Sequence, residues 1–441
     1  MNIRVMHEGD PRVKNILGVP QKAERGIRPS VYSIVEKVAD GIIVYNNFTK
    51  EHVFAPCSET EFFMSDFAYS NWFSVSDSVD EIELVSRVRF QLRAQHTYPD
   101  SCEFFCVFTT TSCNARCEYC FEKNHQIVGH MTEETAIDVA KYIASVAPSD
   151  SQFLIRWFGG EPLLNKKVID IICEYLIANN CDFISVLSTN GYLLDAPLLI
   201  EAKEKWNLVS VNIPLDGFKE TYAQKKNYIY ADANPYKRVK DAIIKAVSLG
   251  FIINIELHIE SANRQDLCLL IEDIKKIPDG NNLINVHCSP LYERQMDIFN
   301  PRSEIEEKSI RENQYAIIKK LIASNFHRIS LSHRFRVFHC LADSKNYLAI
   351  LPDGRITWCE DCLGKGVIGN IHEKGAIPST DLEALQTFDI LPECKKCSLY
   401  SDCIRFKKCN SDTPWCSDAK REFLLKKKKI AMLEEYNSLY S

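Results

Sequence analysis

The sequence predicts an α/β protein, with a small α+β unit ahead of the α/β body and a cysteine-rich unit behind it. Three observations carry this. Between residues 105 and 325, short apolar runs alternate six times with amphipathic helical stretches, which is the pattern of a parallel sheet with right-handed crossovers, either open or curled into a partial barrel. Over residues 1–97 that alternation is missing. From residue 331 onward turn signals replace long helical patterns, and eight of the eighteen cysteines fall between Cys340 and Cys416. The expected units are therefore 1–97, 98–330 and 331–441.

Taken in order, "GIIVYNNFTKEHVFAPC" (41–57) places two apolar runs around a polar turn and reads as a β-hairpin. "SETEFFMSDFAYS" (58–70) reads as one helix. The body begins with the strand "FCVFTTT" and the helix "TEETAIDVAKYIASV", capped by Thr132 with two glutamates in its first turn. "QFLIRWFGG" and a helix over 166–178 follow, then "DFISVLSTNG" with a helix over 195–206. "LVSVNIPLDG" precedes a helix over 236–249, "FIINIELHIE" one over 264–276, and "LINVHCSPL" one over 304–325. In such folds function gathers at the carboxyl ends of the strands. "TTTSCN", "FGGEP", "LSTNG" and "IPLDG" all lie at those ends.

Composition excludes several classes. A charged fraction of 25% and a hydrophobic fraction of 46% are ordinary for a globular chain, and a net charge of −6 leaves no footprint for nucleic acid. No run approaches a membrane span, and the N-terminus lacks the apolar region of a signal peptide. A cytosolic location is expected, and there eighteen cysteines point to metal or catalysis rather than disulfides. The run Lys426–Lys429 reads as a solvated helix face. His258 and His287 fall at strand ends and read as pocket or core residues. Cys57, Cys102, Cys106, Cys173, Cys181, Cys268 and Cys288 read as small core residues.

The sharpest signal is "CNARCEYC", which sets Cys113, Cys117 and Cys120 in a C-x3-C-x2-C spacing. A [4Fe–4S] cluster wants four thiolates, so three leave one iron open to an outside ligand. Gly159 and Gly160 permit close backbone approach to a ligand. Glu161 is suited to an ammonium, Ser188 and Asn190 to a carboxylate or ribose, and the backbone of Tyr119 and the ring of Phe121 to an adenine. Asn212 and Asp216 lie further round the same mouth.

"CNARCEYCF" resembles the signature of radical S-adenosylmethionine (SAM) enzymes, and "FGGEP", "LSTNG" and "PLDG" recur in that family in this order. The resemblance implies a partial (β/α)6 barrel in which the open iron is chelated by SAM. It also implies reductive cleavage of SAM to a 5′-deoxyadenosyl radical that takes hydrogen from a substrate, with a reductant such as flavodoxin or ferredoxin as partner.

The later cysteines resemble the SPASM domain appended to peptide-modifying members, with two auxiliary [4Fe–4S] clusters. By that resemblance Cys394, Cys397, Cys403 and Cys416 hold an outer cluster, and Cys340, Cys359 and Cys409 an inner one. Five residues rather than the family's three separate Cys403 from Cys409, and Cys362 either completes the inner site or leaves it open. Two structural zinc sites are the alternative for the same thiols.

The family further implies a ribosomally made precursor peptide as substrate, joined through a new C–S or C–C crosslink. Glu360 and Asp216 are the candidate catalytic residues, Glu360 as a general base beside the inner cluster. The N-terminal unit resembles leader-binding domains, with Gly41–Phe54 as the sheet edge that a leader would extend. The competing expectations are a sulfatase-maturing type of protein oxidation and a non-catalytic iron–sulfur or zinc scaffold.

Overall fold

The computed structural model describes residues 2–21, 26–96, 101–120, 122, 129–291, 303–338, 346–360, 367–372, 392–403 and 416–440. Phe121, Cys340, Cys362 and Cys409 lie outside the described residues.

The N-terminal unit carries β1 (Arg4–Glu8), β2 (Ile27–Pro29), β3 (Ser33–Val38), β4 (Gly41–Asn46), β5 (Glu51–Ala55) and β6 (Ser74–Ser76). Four of these form an antiparallel sheet in the order β1-β5-β4-β3, and β2 pairs with β6. The hairpin read from residues 41–57 is there, but it offers no edge. Both of its strands are paired on both sides, so among the described residues the edges of this sheet are β1 and β3. Gly41–Phe54 is thus corrected as the strand a peptide would extend. Sheet order is a tertiary property, and the hairpin's own pattern does not contain it.

The single helix read over 58–70 is two, Glu59–Phe63 and Asp66–Ser70. Ser58 and Glu61 close a capping box on the first. Ser65 ends it and starts the second, its Oγ donating to the Phe62 carbonyl at 2.6 Å and accepting the Ala68 N–H at 3.1 Å. The helix Glu81–Ala94 closes the unit, capped by Asp80.

The body is a run of six parallel strands, β7 (Phe104–Thr110), β8 (Phe153–Gly159), β9 (Phe183–Ser188), β10 (Leu208–Pro214), β11 (Ile252–Ile259) and β12 (Ile284–Pro290), neighbours in sequence order. Four of the helices that follow these strands start on a capping side chain. Thr132, Asp195 and Ser303 cap theirs, and Asn234 caps one that has Pro235 in its first turn. The helices bury their apolar stripes on one sheet face, over Ile155, Trp157, Val211, Ile253 and Ile255. The opposite face is half-buried and mixed, with Leu154, Arg156 and Phe158 on β8, Ile184, Val186 and Ser188 on β9, and Asn254, Glu256 and His258 on β11, which is why these strands read buried–intermediate along their length.

Past residue 330 the chain rejoins this sheet. β13 (Tyr347–Ile350) pairs parallel with β7, and β14 (Arg355–Thr357) and β15 (Val367–Asn370) extend it to nine strands. The last helix, Asp418–Tyr440, packs on β3 and β4, and its lysine run is paired rather than simply solvated. Lys426 meets Glu422, Lys428 meets Asp402, and Lys429 meets Glu36. Among the described residues no helix is long and apolar enough to cross a membrane.

Candidate active site

The loop carrying Cys113, Cys117 and Cys120 leaves the carboxyl end of β7, and three neighbouring segments clamp it. From β8, the Gly160 N–H donates to the Thr110 carbonyl at 3.0 Å and the Glu161 N–H to the Ser112 carbonyl at 2.9 Å. Gly159 has φ +119, and a Cβ there would sit on the Thr110 carbonyl oxygen; one on Gly160 would meet the Ser112 oxygen at 2.5 Å. The two glycines are therefore required by the backbone of the cysteine loop itself. Only a chain without side chains lets the strand ends come this close.

From β9, Asn190 Nδ2 donates to Asn114 Oδ1 at 2.6 Å and lies 3.8 Å from the Cys113 sulfur. From the helix Glu220–Lys226, the Lys226 carbonyl accepts the Arg116 N–H at 2.9 Å and lies 3.8 Å from the Cys117 sulfur.

Glu161 is fully buried and spends both carboxylate oxygens inside the protein. Oε1 accepts the Leu163 N–H at 3.2 Å and the Thr189 hydroxyl at 2.8 Å, and Oε2 accepts the Asn190 N–H at 2.9 Å. Burial pushes its carboxyl up to about 7, against those hydrogen bonds. Its part here is to tie the end of β8 to the Thr189–Asn190 turn. Ser188 and Asn212, by contrast, face the half-buried side of the sheet and meet there. Asn212 Nδ2 donates to Ser188 Oγ at 3.3 Å, Asn254 Nδ2 to Asn212 Oδ1 at 2.9 Å, and Asn285 Nδ2 to Asn254 Oδ1 at 3.2 Å. This ladder runs across four adjacent strands in one register, β9 to β12.

Asp216 has no exposed surface. Lys226 Nζ lies 2.7 Å from its Oδ2 and His258 Nδ1 2.5 Å from its Oδ1, and the Tyr119 hydroxyl donates to it as well. Burial would raise this carboxyl, but the Lys226 ammonium and His258 hold it far below the usual range. With its oxygens so engaged, Asp216 is a buried anchor under the cysteine loop, reached through Tyr119, which stands between Cys117 and Cys120. His258 Nε2 is 3.8 Å from Glu256 Oε1, which accepts the Ser289 hydroxyl at 2.7 Å.

At the opposite side Glu360 joins the half-buried face to the cysteine-rich unit. Arg156 Nη1 of β8 lies 3.5 Å from its Oε1, and the Tyr347 hydroxyl donates to its Oε2, 4.0 Å from the Cys359 sulfur.

Sequence reasoning missed Lys226, Thr189, Asn114, Arg156 and Asn254, and left His258 as a generic pocket residue. Only the strand parity of Arg156 and Asn254, opposite in facing to Ile155 and Ile253, signalled their direction in advance.

The donor set fits an iron–sulfur cluster. The Cys113 sulfur accepts the Ala115 N–H at 3.4 Å. Burial pushes the thiol up to about 11, with Glu161, Cys117 and Cys120 adding to the shift, so the three sulfurs feel one another. Metal binding removes that cost by taking the thiolate. Among the described residues no three Cys, His, Asp or Glu side chains close on a single ion. A cubane takes each sulfur at a different iron, so its ligands need not meet at a point. Further along, Arg421 Nη1 lies 3.0 Å from the Cys416 sulfur, and Cys397 is pushed up by burial and then by Cys416 and Cys403.

Comparison with known proteins points the same way. Residues 107–273 match the radical SAM superfamily. The chain is 25% identical over 285 residues to an uncharacterized protein of Methanocaldococcus jannaschii, covering 63% of this chain and 92% of that one. It is 25% identical over 272 residues to GTP 3′,8-cyclase of Helicobacter pylori, covering 58% and 80%. Among solved structures, anSMEcpe with bound AdoMet aligns at a TM-score of 0.58 and 18% identity, over 76% of this chain and all of that one. Streptococcus suis SuiB bound to its precursor peptide SuiA aligns at 0.51 and 12%, over 86% and 94%. These two likenesses establish the fold.

Proposed function

Because the chain belongs to the radical SAM superfamily through residues 107–273, we propose that it is a peptide maturase that installs a C–S or C–C crosslink in a ribosomally made precursor. Cys113, Cys117 and Cys120 hold the [4Fe–4S] cluster that binds SAM. When bound, cluster and SAM together supply a 5′-deoxyadenosyl radical, which removes hydrogen from the substrate. Ser188 and Asn212, on the polar ladder, face the ribose and carboxylate of SAM, and the Tyr119 backbone its adenine. Gly159, Gly160, Glu161 and Asn190 shape the loop that presents the cluster.

Cys394, Cys397, Cys403 and Cys416 hold an outer auxiliary cluster, and Cys359, with Cys340, Cys409 and Cys362, belongs to an inner one. Glu360, which meets Arg156 and Tyr347 beside Cys359, is the general base that takes a proton from the substrate in this reading. A flavodoxin or ferredoxin supplies the electron.

The observation that carries this reading is the cysteine loop clamped over one end of a six-stranded parallel sheet that bears a polar ladder, with a second cysteine unit continuing the same sheet. The peptide class is supported by two neighbours of this fold, SuiB bound to precursor peptide SuiA and anSMEcpe with the Cp18Cys peptide. The likeness to GTP 3′,8-cyclase supplies the competing substrate, a nucleotide.

The test presents reconstituted enzyme, SAM and reductant with candidate precursor peptides deuterated at Cα or Cβ, and separately with GTP. Deuterium entering 5′-deoxyadenosine from a peptide is the expected result. Transfer from GTP alone would overturn the peptide reading.

A further inference from the structure

The outer cysteine run is held by the N-terminal unit. Asn47 Nδ2 donates to the Ser398 carbonyl at 2.8 Å, and Ser401 Oγ donates to the Asn47 carbonyl at 2.8 Å. Lys50, fully buried, places Nζ 2.6 Å from Asp402 Oδ1, and Lys428 reaches Oδ2 at 2.9 Å. Cys394 and Cys397 border an apolar cluster built from Val85, Val88, Leu92 and Tyr400.

On the helix that supplies those apolar residues, Arg89 stands out. It is 8% exposed, its Nη2 donates to the Ser401 carbonyl at 2.9 Å, and its guanidinium lies 5.4 Å from the centre of the Phe335 ring. Among the described residues its Nε has no partner and it makes no ion pair with a carboxylate. A guanidinium cannot shed its proton, and a buried charge without a counter-ion is strongly unfavourable. Asp402 does not serve, because Lys50 and Lys428 already occupy its two oxygens. Burial lowers the Arg89 pKa, while Tyr400, then Cys403 and Asp402 raise it, so this cation feels both the cysteine run and the carboxylate within it.

We propose that Arg89 is a counter-cation of the outer cluster, beside Arg421 at the Cys416 sulfur, and that through Arg89 the N-terminal unit raises that cluster's reduction potential. The proposal rests on the assignment of Cys394, Cys397, Cys403 and Cys416 as its ligands. Four thiolates make such a cluster anionic overall. One-electron reduction adds a negative charge, breaks no bond and requires no proton. A fixed cation nearby therefore favours the reduced state and raises the potential. Arg89 is a positioning charge and touches no substrate.

The test is a dye-mediated potentiometric titration followed by electron paramagnetic resonance. The full chain is used with Cys113, Cys117 and Cys120 replaced by alanine, so that only the C-terminal clusters respond. Arg89→Met is expected to lower one midpoint by about tenfold in the reduction equilibrium, or ~59 mV for one electron. Arg89→Lys should keep most of the wild-type value. An unmoved midpoint in Arg89→Met, or an equal fall in Arg89→Lys, would overturn the proposal.

Should Arg89→Met fail to fold, Ser86→Glu decides. Ser86 is exposed one turn earlier on the same helix, and a glutamate there pairs with Arg89 and should lower the same midpoint; no shift overturns the proposal. Iron content separates the two possible failures. Full iron with an unmoved midpoint overturns the role of Arg89 alone. Wild-type chain without C-terminal cluster iron overturns the ligand assignment and this proposal with it.

Discussion

Lys226→Met is expected to destabilise the protein by about 3–5 kcal/mol, the cost of leaving one member of a buried ion pair without its partner. Both charges are out of water, with side-chain exposures of 3% for Lys226 and 0% for Asp216. Methionine fills nearly the same space, so the loss reports charge rather than volume. Urea unfolding of the variant checks it. The double variant Lys226→Met/Asp216→Leu removes both charges and should recover much of the loss, giving a large coupling term in a double-mutant cycle. Additive losses would mean that the pair is not what anchors the loop.

The same group makes stability depend on pH at both ends. Asp216 is depressed in the folded state, so its contribution is present above the unfolded carboxylate value of about 3.9 and disappears as pH falls through the folded one. For His258, burial lowers the pKa but the hydrogen bond and charge of Asp216 outweigh it, and the net shift is upward. Its contribution is full below about 6.5 and is lost as pH rises through the folded value. Unfolding midpoints should therefore fall at the acid and alkaline sides in wild type, and His258→Gln should reduce the alkaline fall, leaving the part that Glu161 contributes as pH rises from the unfolded carboxyl value of about 4.3 to its folded value of about 7.

Gly159→Ala is expected to cost roughly a hundredfold in SAM cleavage, the scale of an ångström's misplacement at a reacting centre. The alanine meets the Thr110 carbonyl at a φ of +119, where L residues are strained. Thr110 is the last residue of β7 and the base of the cysteine loop, so relief of the clash moves Cys113 and its neighbours. Initial rates of 5′-deoxyadenosine formation, normalised to iron, measure the effect. Wild-type rates in Gly159→Ala would show that the loop does not depend on this contact.

Much of this arrangement was legible in the sequence because it is local. The strand–helix alternation, the caps at Thr132, Asp195 and Ser303, and the clustering of "SCN", "FGGEP" and "STNG" at strand ends are properties of short stretches. What stayed hidden depends on which distant segments meet. Lys226 lies in a polar stretch, "AQKKNY", with no sign of burial in its composition, and only the fold turns it inward onto Asp216. Glu161 and Asn190 read as ligand contacts because their chemistry suits SAM, and the same chemistry serves to tie strand ends together. Arg89 is one charge among several on the helix Glu81–Ala94, and nothing in its periodicity says that a cysteine run will cover it.

The central claim is that Cys113, Cys117 and Cys120 hold a cluster that cleaves SAM. Its most direct test is anaerobic reconstitution with iron and sulfide, followed by SAM and dithionite. Wild type is expected to release 5′-deoxyadenosine, and the variant with all three cysteines replaced by alanine none. Equal release from both chains, or none from an iron-loaded wild type, would contradict the account.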